Sequence, residues 1–190
     1  CQVFVAALAY SGYSYVEAVH SQKQEDFLFC LSNSLHFLEG VPQCILSDNL
    51  KSAVKRSNRY EPDFTSLSEQ LSVHYDFTLM AARVGKPKDK PHVESAVRTT
   101  YYRVYAPLRD KMFFSIEELN EAIRHQLMIH NALPFQRKEG SRESIFMAVE
   151  KPLLKPLPTA TFEVKHVVEA TVQRNYHVTL GEDWHHYSVP

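Results

Sequence analysis

The chain has 190 residues, 44% of them apolar, and a formal net charge of -1, which excludes wholesale disorder and suits one sizeable domain or one domain with a small appendage. Its longest apolar run, Val3 to Tyr10, is strand-sized, so nothing here spans a bilayer, and with no basic start before a small-residue cleavage site the chain reads as cytoplasmic. Three cysteines, at 1, 30 and 44, make no Cys-x-x-Cys pair, so buried free thiols suit them better than a disulfide framework or a zinc site.

Val3 to Ala9 is continuously apolar and fits a strand buried on both faces. Ser11-Gly12 makes a tight turn, and Tyr13 to His20, rich in aromatic and β-branched residues, returns as the second strand of a hairpin. Phe27, Leu28, Leu31, Leu35 and Leu38 recur at helical spacing and predict an amphipathic helix over Lys23 to Leu38, ended by Gly40 with Pro42 beyond. Gln43 to Ser47 is a short apolar strand with Asp48 at its end. A helix over 65–74 and a strand over 77–82 follow. Gly85 to Pro91 is a loop by composition.

A helix then begins near His92, with Val93, Val97, Tyr101, Val104 and Leu108 as its buried stripe and Pro107 at its end. Tyr101, Tyr102 and Tyr105 read as core and helix-surface packing. Ser115 and Glu118 form a capping box, with Phe114 and Leu119 as a hydrophobic staple, and open a helix to about His130 that turns Ile116, Leu119, Ile123 and Leu127 inward. Pro152, Pro156 and Pro158 punctuate a linker, and 162–190 is β-rich, with Gly181-Glu182-Asp183 as a hairpin turn. This order predicts a mixed α/β sheet flanked by helices.

Asp48 should emerge at the carboxyl end of a buried strand, where open α/β sheets place their active sites. Glu94 falls in the first turn of the helix after the lysine-proline loop. Two facing carboxylates repel unless a cation lies between them, and magnesium, a hard ion, favours such oxygens while keeping waters for substrate phosphates. Each acid also has a plainer reading: Asp48 as a turn residue before Asn49, and Glu94 as a first-turn acid paired with Arg98. Basic charge clusters near both. Lys51, Lys55, Arg56 and Arg59 follow Asp48, and Lys86, Lys88 and Lys90 precede Glu94; either group suits DNA phosphates or ordinary solvation.

Taken together, Leu46 to Val54 and Gly85 to Glu94 resemble the core of IstA-type insertion-sequence transposases, within the retroviral-integrase-like superfamily that carries an Asp-Asp-Glu triad. The resemblance covers nearly the whole chain, including Tyr10-Ser11-Gly12-Tyr13, the helix ending at His130-Asn131, and Tyr187 to Pro190 as part of a small β-barrel. It implies a ribonuclease H-like mixed sheet over 1–131 that lacks its first strand, a helix and proline-rich linker over 132–160, and the start of a β-barrel over 161–190. It implies Asp48 and Glu94 as catalytic, metal-holding acids with Mg2+ or Mn2+, and Lys51, Lys55, Arg56, Lys86, Lys88 and Lys90 as DNA contacts. Cleavage of transposon ends and transfer to target DNA are the implied reactions. A homo-oligomer on DNA, an ATPase helper and a bacterial, nucleoid-associated setting are implied as well. The family's first acid has no counterpart in residues 1–10, and Glu17 reads as a solvent-facing strand residue, so the first acid is expected upstream of Cys1. Without it the chain should bind metal weakly and not catalyse, which keeps a non-catalytic DNA-binding or assembly module as the alternative.

Overall fold

In the computed structural model, strand β1 (Gln2–Ala7) and strand β2 (Ser14–Val19) form the expected antiparallel hairpin, with Gln2 opposite Val19 and Ala7 opposite Ser14. The structure describes residues 1–47, 66–81, 97–164 and 172, together with the backbone of short strands at 54–56, 63–64, 177–180 and 185–188. Gly12 closes the hairpin turn at φ 70, a left-handed conformation that costs glycine little.

Helix α1 (Gln24–Leu38) follows, and its buried stripe includes Leu28, Leu31 and Leu35. The left-handed residue at its end is Glu39, at φ 51, one position before the glycine expected there; the Gly40 N–H then returns to Leu35 O at 3.2 Å. Gly40 meets a different need. A Cβ on it would stand 2.7 Å from Leu154 Cβ, closer than packed atoms allow.

Strand β3 (Cys44–Ser47) runs parallel to a strand that comes later in the chain, β6 (Thr78–Ala81), with Ser47 level with Ala81. Between them lie β4 (Val54–Arg56), β5 (Asp63–Phe64) and helix α2 (Ser66–Tyr75); the short antiparallel β4–β5 pair is additional to the predicted elements. Helix α3 is described over 97–108. It widens at Tyr101–Tyr105 and tightens at Ala106–Leu108, where Pro107 lacks the N–H a further turn would need. Helix α4 (Ile116–Ala132) and helix α5 (Arg142–Ile145), which continues as irregular turns to Leu153, complete the described core. Strands β7 (His177–Leu180) and β8 (His185–Ser188) pair antiparallel, with Leu180 opposite His185, while the predicted turn at 181–183 lies outside the described residues.

The helices cover two faces. On one, Leu28, Leu31 and Leu35 of α1 pack with Val41, Leu71 and Tyr75, over Phe4, Ile45 and Leu79 of the strands. On the other, Val104 and Leu108 of α3 and Ile123 and Leu127 of α4 pack over Val16 and Ala18. Because strand residues alternate faces, Phe4 and its partner Glu17 look towards α1, while Val5 and Val16 look towards α3 and α4. Burial of these side chains, at about 25 cal/mol per Å2 of apolar surface, supplies the main drive for the layered arrangement.

Several expectations need correction. The α3 stripe is Thr100, Val104 and Leu108, spaced by four; Val97 and Tyr101 are 47% and 61% exposed, and Tyr102 is exposed beside Tyr101, while Tyr105 alone of the three packs on the core. Val93 lies outside the described residues. Ser115 Oγ does accept the Glu118 N–H, at 3.1 Å, but Phe114 is 87% exposed and staples nothing. Of the cysteines only Cys30 is buried; Cys1 and Cys44 are exposed, and all three are free. Val3, expected inside, is 41% exposed, because no described strand or helix lies against the outer side of β1 at that point. The proline-rich stretch is docked on the core: Val41 and Lys155 exchange two backbone hydrogen bonds of 2.9 Å, and Lys155 Nζ reaches Asp76 Oδ2 at 2.7 Å.

Candidate functional site

β3 and β6 end side by side, and Asp48 is the residue bonded to Ser47, so the carboxyl ends of two parallel strands frame the position where the sequence places its first candidate acid. Ser47 itself is 6% exposed. Asp48, Glu94, Lys51, Lys86, Lys88 and Lys90 lie outside the described residues. Lys55 and Arg56 belong to β4, for which only the backbone is described. Glu94 precedes by three residues the point where α3 is first described. Among the described residues no group of three or more His, Cys, Asp or Glu side chains could hold a metal ion. As a donor set, two carboxylates fit a hard divalent ion such as magnesium far better than a soft one.

The only carboxylate on the described hairpin sits elsewhere. Glu17 is 8% exposed, not solvent-facing as expected, because the antiparallel register turns it under α1. Tyr15 OH donates to its Oε2 at 2.9 Å, and Asn33 Nδ2 donates to both oxygens, at 3.1 and 3.2 Å. The Tyr15 hydroxyl and the Cys30 thiol are both pushed well above their ordinary pKa values, first by burial and then by the Glu17 carboxylate beside them. With its lone pairs committed to these donors, Glu17 serves as the hub of a buried polar network. Nothing in the sequence signals this beyond a polar residue at an inward strand position.

Two asparagines on α4, also unforeseen, fix that helix against β2. Asn120 accepts the Ala18 N–H at 2.7 Å and donates to Ala18 O at 2.9 Å. Asn131 does the same for Ser14, at 3.1 and 2.9 Å. All four side-chain and main-chain groups are buried, so each amide stands in for a neighbouring strand. β1 has no such cover. Its non-hydrogen-bonded pairs with β2 direct the N–H and C=O of Val3, Val5 and Ala7 to the outer edge, where no described strand pairs with them.

No protein-family model matches the chain. Its sequence is 37% identical, over 99% of the chain, to a protein of Burkholderia multivorans named as a transposase for insertion sequence IS408. The chain spans about a third of the length of the curated relatives it matches. Among solved structures, the catalytic core domain of BIV integrase superposes with a TM-score of 0.62 at 16% identity, covering 80% of this chain and 88% of that one. The HTLV-2 integrase catalytic core domain, solved in complex with magnesium, gives 0.57 at 15% identity, over 75% of this chain and 82% of that one. These likenesses show a ribonuclease H-like α/β fold. No described helix is long and apolar enough to cross a membrane.

Proposed function

We propose that the chain belongs to the insertion-sequence transposases, as a stretch of about a third of their length, and that it is the integrase-type catalytic part of a DNA transposase. The observation that carries the reading is the conjunction of kinship over 99% of the chain with an integrase-core fold in which Asp48 directly follows the end of β3.

In this reading Asp48 and Glu94 are the acids that act on DNA. A divalent ion, Mg2+ or Mn2+, when bound, activates the attacking oxygen and stabilises the leaving one in phosphoryl transfer. Asp48 and Glu94 hold it with hard oxygen donors. Lys51, Lys55, Arg56, Lys86, Lys88 and Lys90 position the phosphate backbone without reading its sequence. The substrates are transposon-end DNA, cut by water, and target DNA, attacked by the freed 3′ hydroxyl. The working form is a homo-oligomer on DNA, assisted by an ATPase helper, and residues 161–190 begin a β-barrel.

The remaining acid of the triad comes from a strand preceding Cys1. What supports this is the edge of β1, which no described strand pairs with, beside the exposed Val3, together with β3, whose described pairing is to β6 alone. A strand seated there would pair with Val3, Val5 and Ala7 and cover them.

The test uses the full-length protein with transposon-end DNA and Mn2+ or Mg2+. Asp48→Asn and Glu94→Gln should each lower strand joining by about a thousandfold or more while leaving DNA binding intact. Activity retained in both variants would remove these residues from the site.

A further inference from the structure

Where the last turn of α4 meets the start of α5 and the middle of α3, three basic side chains gather. His130 is 3% exposed, yet its ring Nδ1 has no hydrogen-bond partner among the described residues. Arg142 reaches in from α5. Its Nε lies 3.7 Å from where a Cβ on Gly12 would stand, and its guanidinium carbon lies 5.1 Å from the Phe135 ring centre. Lys138 Nζ sits over the same ring at 4.0 Å. Arg103 comes from α3, and among the described residues neither arginine is paired with a carboxylate. Burial first, then Arg142 and Arg103, hold the His130 imidazole down to about 4, and the Arg142 guanidinium is itself lowered by burial and then by Arg103.

Like charges pressed together around a buried, unpartnered nitrogen are unfavourable unless an anion joins them. Two guanidiniums and an imidazole N–H offer the several convergent donors that a tetrahedral phosphate accepts, and guanidinium binds it in bidentate fashion. Arg103 is exposed, and the α4–α5 region exposes Arg137 and Lys138 along with Glu139 and Glu143, so the site opens to solvent, which suits phosphates repeated along a strand more than a single enclosed ion. We infer that Arg103, Arg142 and His130 form a binding site for a backbone phosphate of nucleic acid, made of residues other than Asp48 and Glu94. Its ligand class, though not its geometry, rests on the DNA-joining reading.

The test measures binding of the chain to a duplex of about 30 base pairs by fluorescence anisotropy as salt is varied, since each lost phosphate contact flattens the slope of log K against log salt by about 0.9. Arg103→Ala with Arg142→Ala should weaken binding at fixed salt at least about tenfold and flatten the slope by about 1 to 2. Lysine at both positions should keep the slope, which separates lost charge from lost packing. In the wild-type protein the His130 ring resonances should shift when the duplex is added. An unchanged slope with unmoved His130 resonances overturns the inference. If inorganic phosphate alone moves His130 while the alanine variant keeps its slope, the site takes free phosphate and the nucleic-acid assignment falls. Strand joining by the full-length protein, which Asp48→Asn should abolish, is read separately from this slope, so failure at the acids and failure at this site give different results.

Discussion

The two outer edges of the β1–β2 hairpin are treated in opposite ways. Along β2, Asn120 and Asn131 satisfy the outward N–H and C=O of Ala18 and Ser14, so no further strand can add there. Along β1, the same groups of Val3, Val5 and Ala7 find no partner among the described strands, and Val3 is 41% exposed. Among the described residues the hairpin is thus sealed on the α4 side and unpaired along β1. An unpaired strand edge is where another strand can add, and the strand proposed at β1 rests on this contrast.

Breaking the sealed edge should have the largest effect. Asn120→Ala combined with Asn131→Ala strands four buried backbone groups and should destabilise the fold by about 3 kcal/mol or more, read as a lower urea midpoint. If the loss were under about 0.5 kcal/mol, water would have to replace both amides, and the contrast would dissolve.

Hydrogen exchange sharpens the same comparison. The amides of Val3, Val5 and Ala7 should exchange at least about a hundredfold faster than those of Ser14 and Ala18, and should become protected in the full-length protein. Equal protection of the two sets in this chain would mean that the β1 edge is already covered.

A smaller effect belongs to His130, next to Asn131 on the sealed side. Its folded pKa of about 4 lies below the ordinary 6.5, owing to burial and then to Arg142 and Arg103. Between those values the unfolded chain binds a proton that the folded one refuses. Stability therefore falls as pH drops from 6.5 towards 4 and levels off below, by about 3 kcal/mol. His130→Leu should remove that share of the acid sensitivity in denaturant titrations at pH 7 and 4.5; an unchanged difference between the two pH values would place the ring in water.

Much of the scaffold was legible because period and punctuation speak for themselves. The Leu28, Leu31, Leu35 spacing, the Ser11-Gly12 turn and the Ser115 cap gave α1, the hairpin and the start of α4 within a residue or so. What escaped depends on the third dimension. Glu17 looks like any strand carboxylate until the register turns it under α1 towards Asn33. Asn120 and Asn131 lie on a helix whose pattern says nothing of the strand edge they meet. In α3 the buried stripe moved to Thr100 because tertiary packing, not the apolar character of Val97 and Tyr101, chose the inward face. The candidate acids were read from order and neighbours, Asp48 after an apolar strand and Glu94 after a lysine-proline loop; both lie outside the described residues, and chain order alone does not encode whether two such acids meet.

The strap formed by 151–157 carries a mechanical implication. Lys155 is laced to Val41 by two backbone hydrogen bonds, Lys151 Nζ grips Leu38 O at 2.8 Å, and Leu154 seats where only a glycine at 40 leaves room. A tug arriving from the downstream β7–β8 hairpin would thus be delivered first to the hinge between α1 and β3. That strand's far end is Ser47, so a pull on the strap would bear on the segment that precedes Asp48 in the chain.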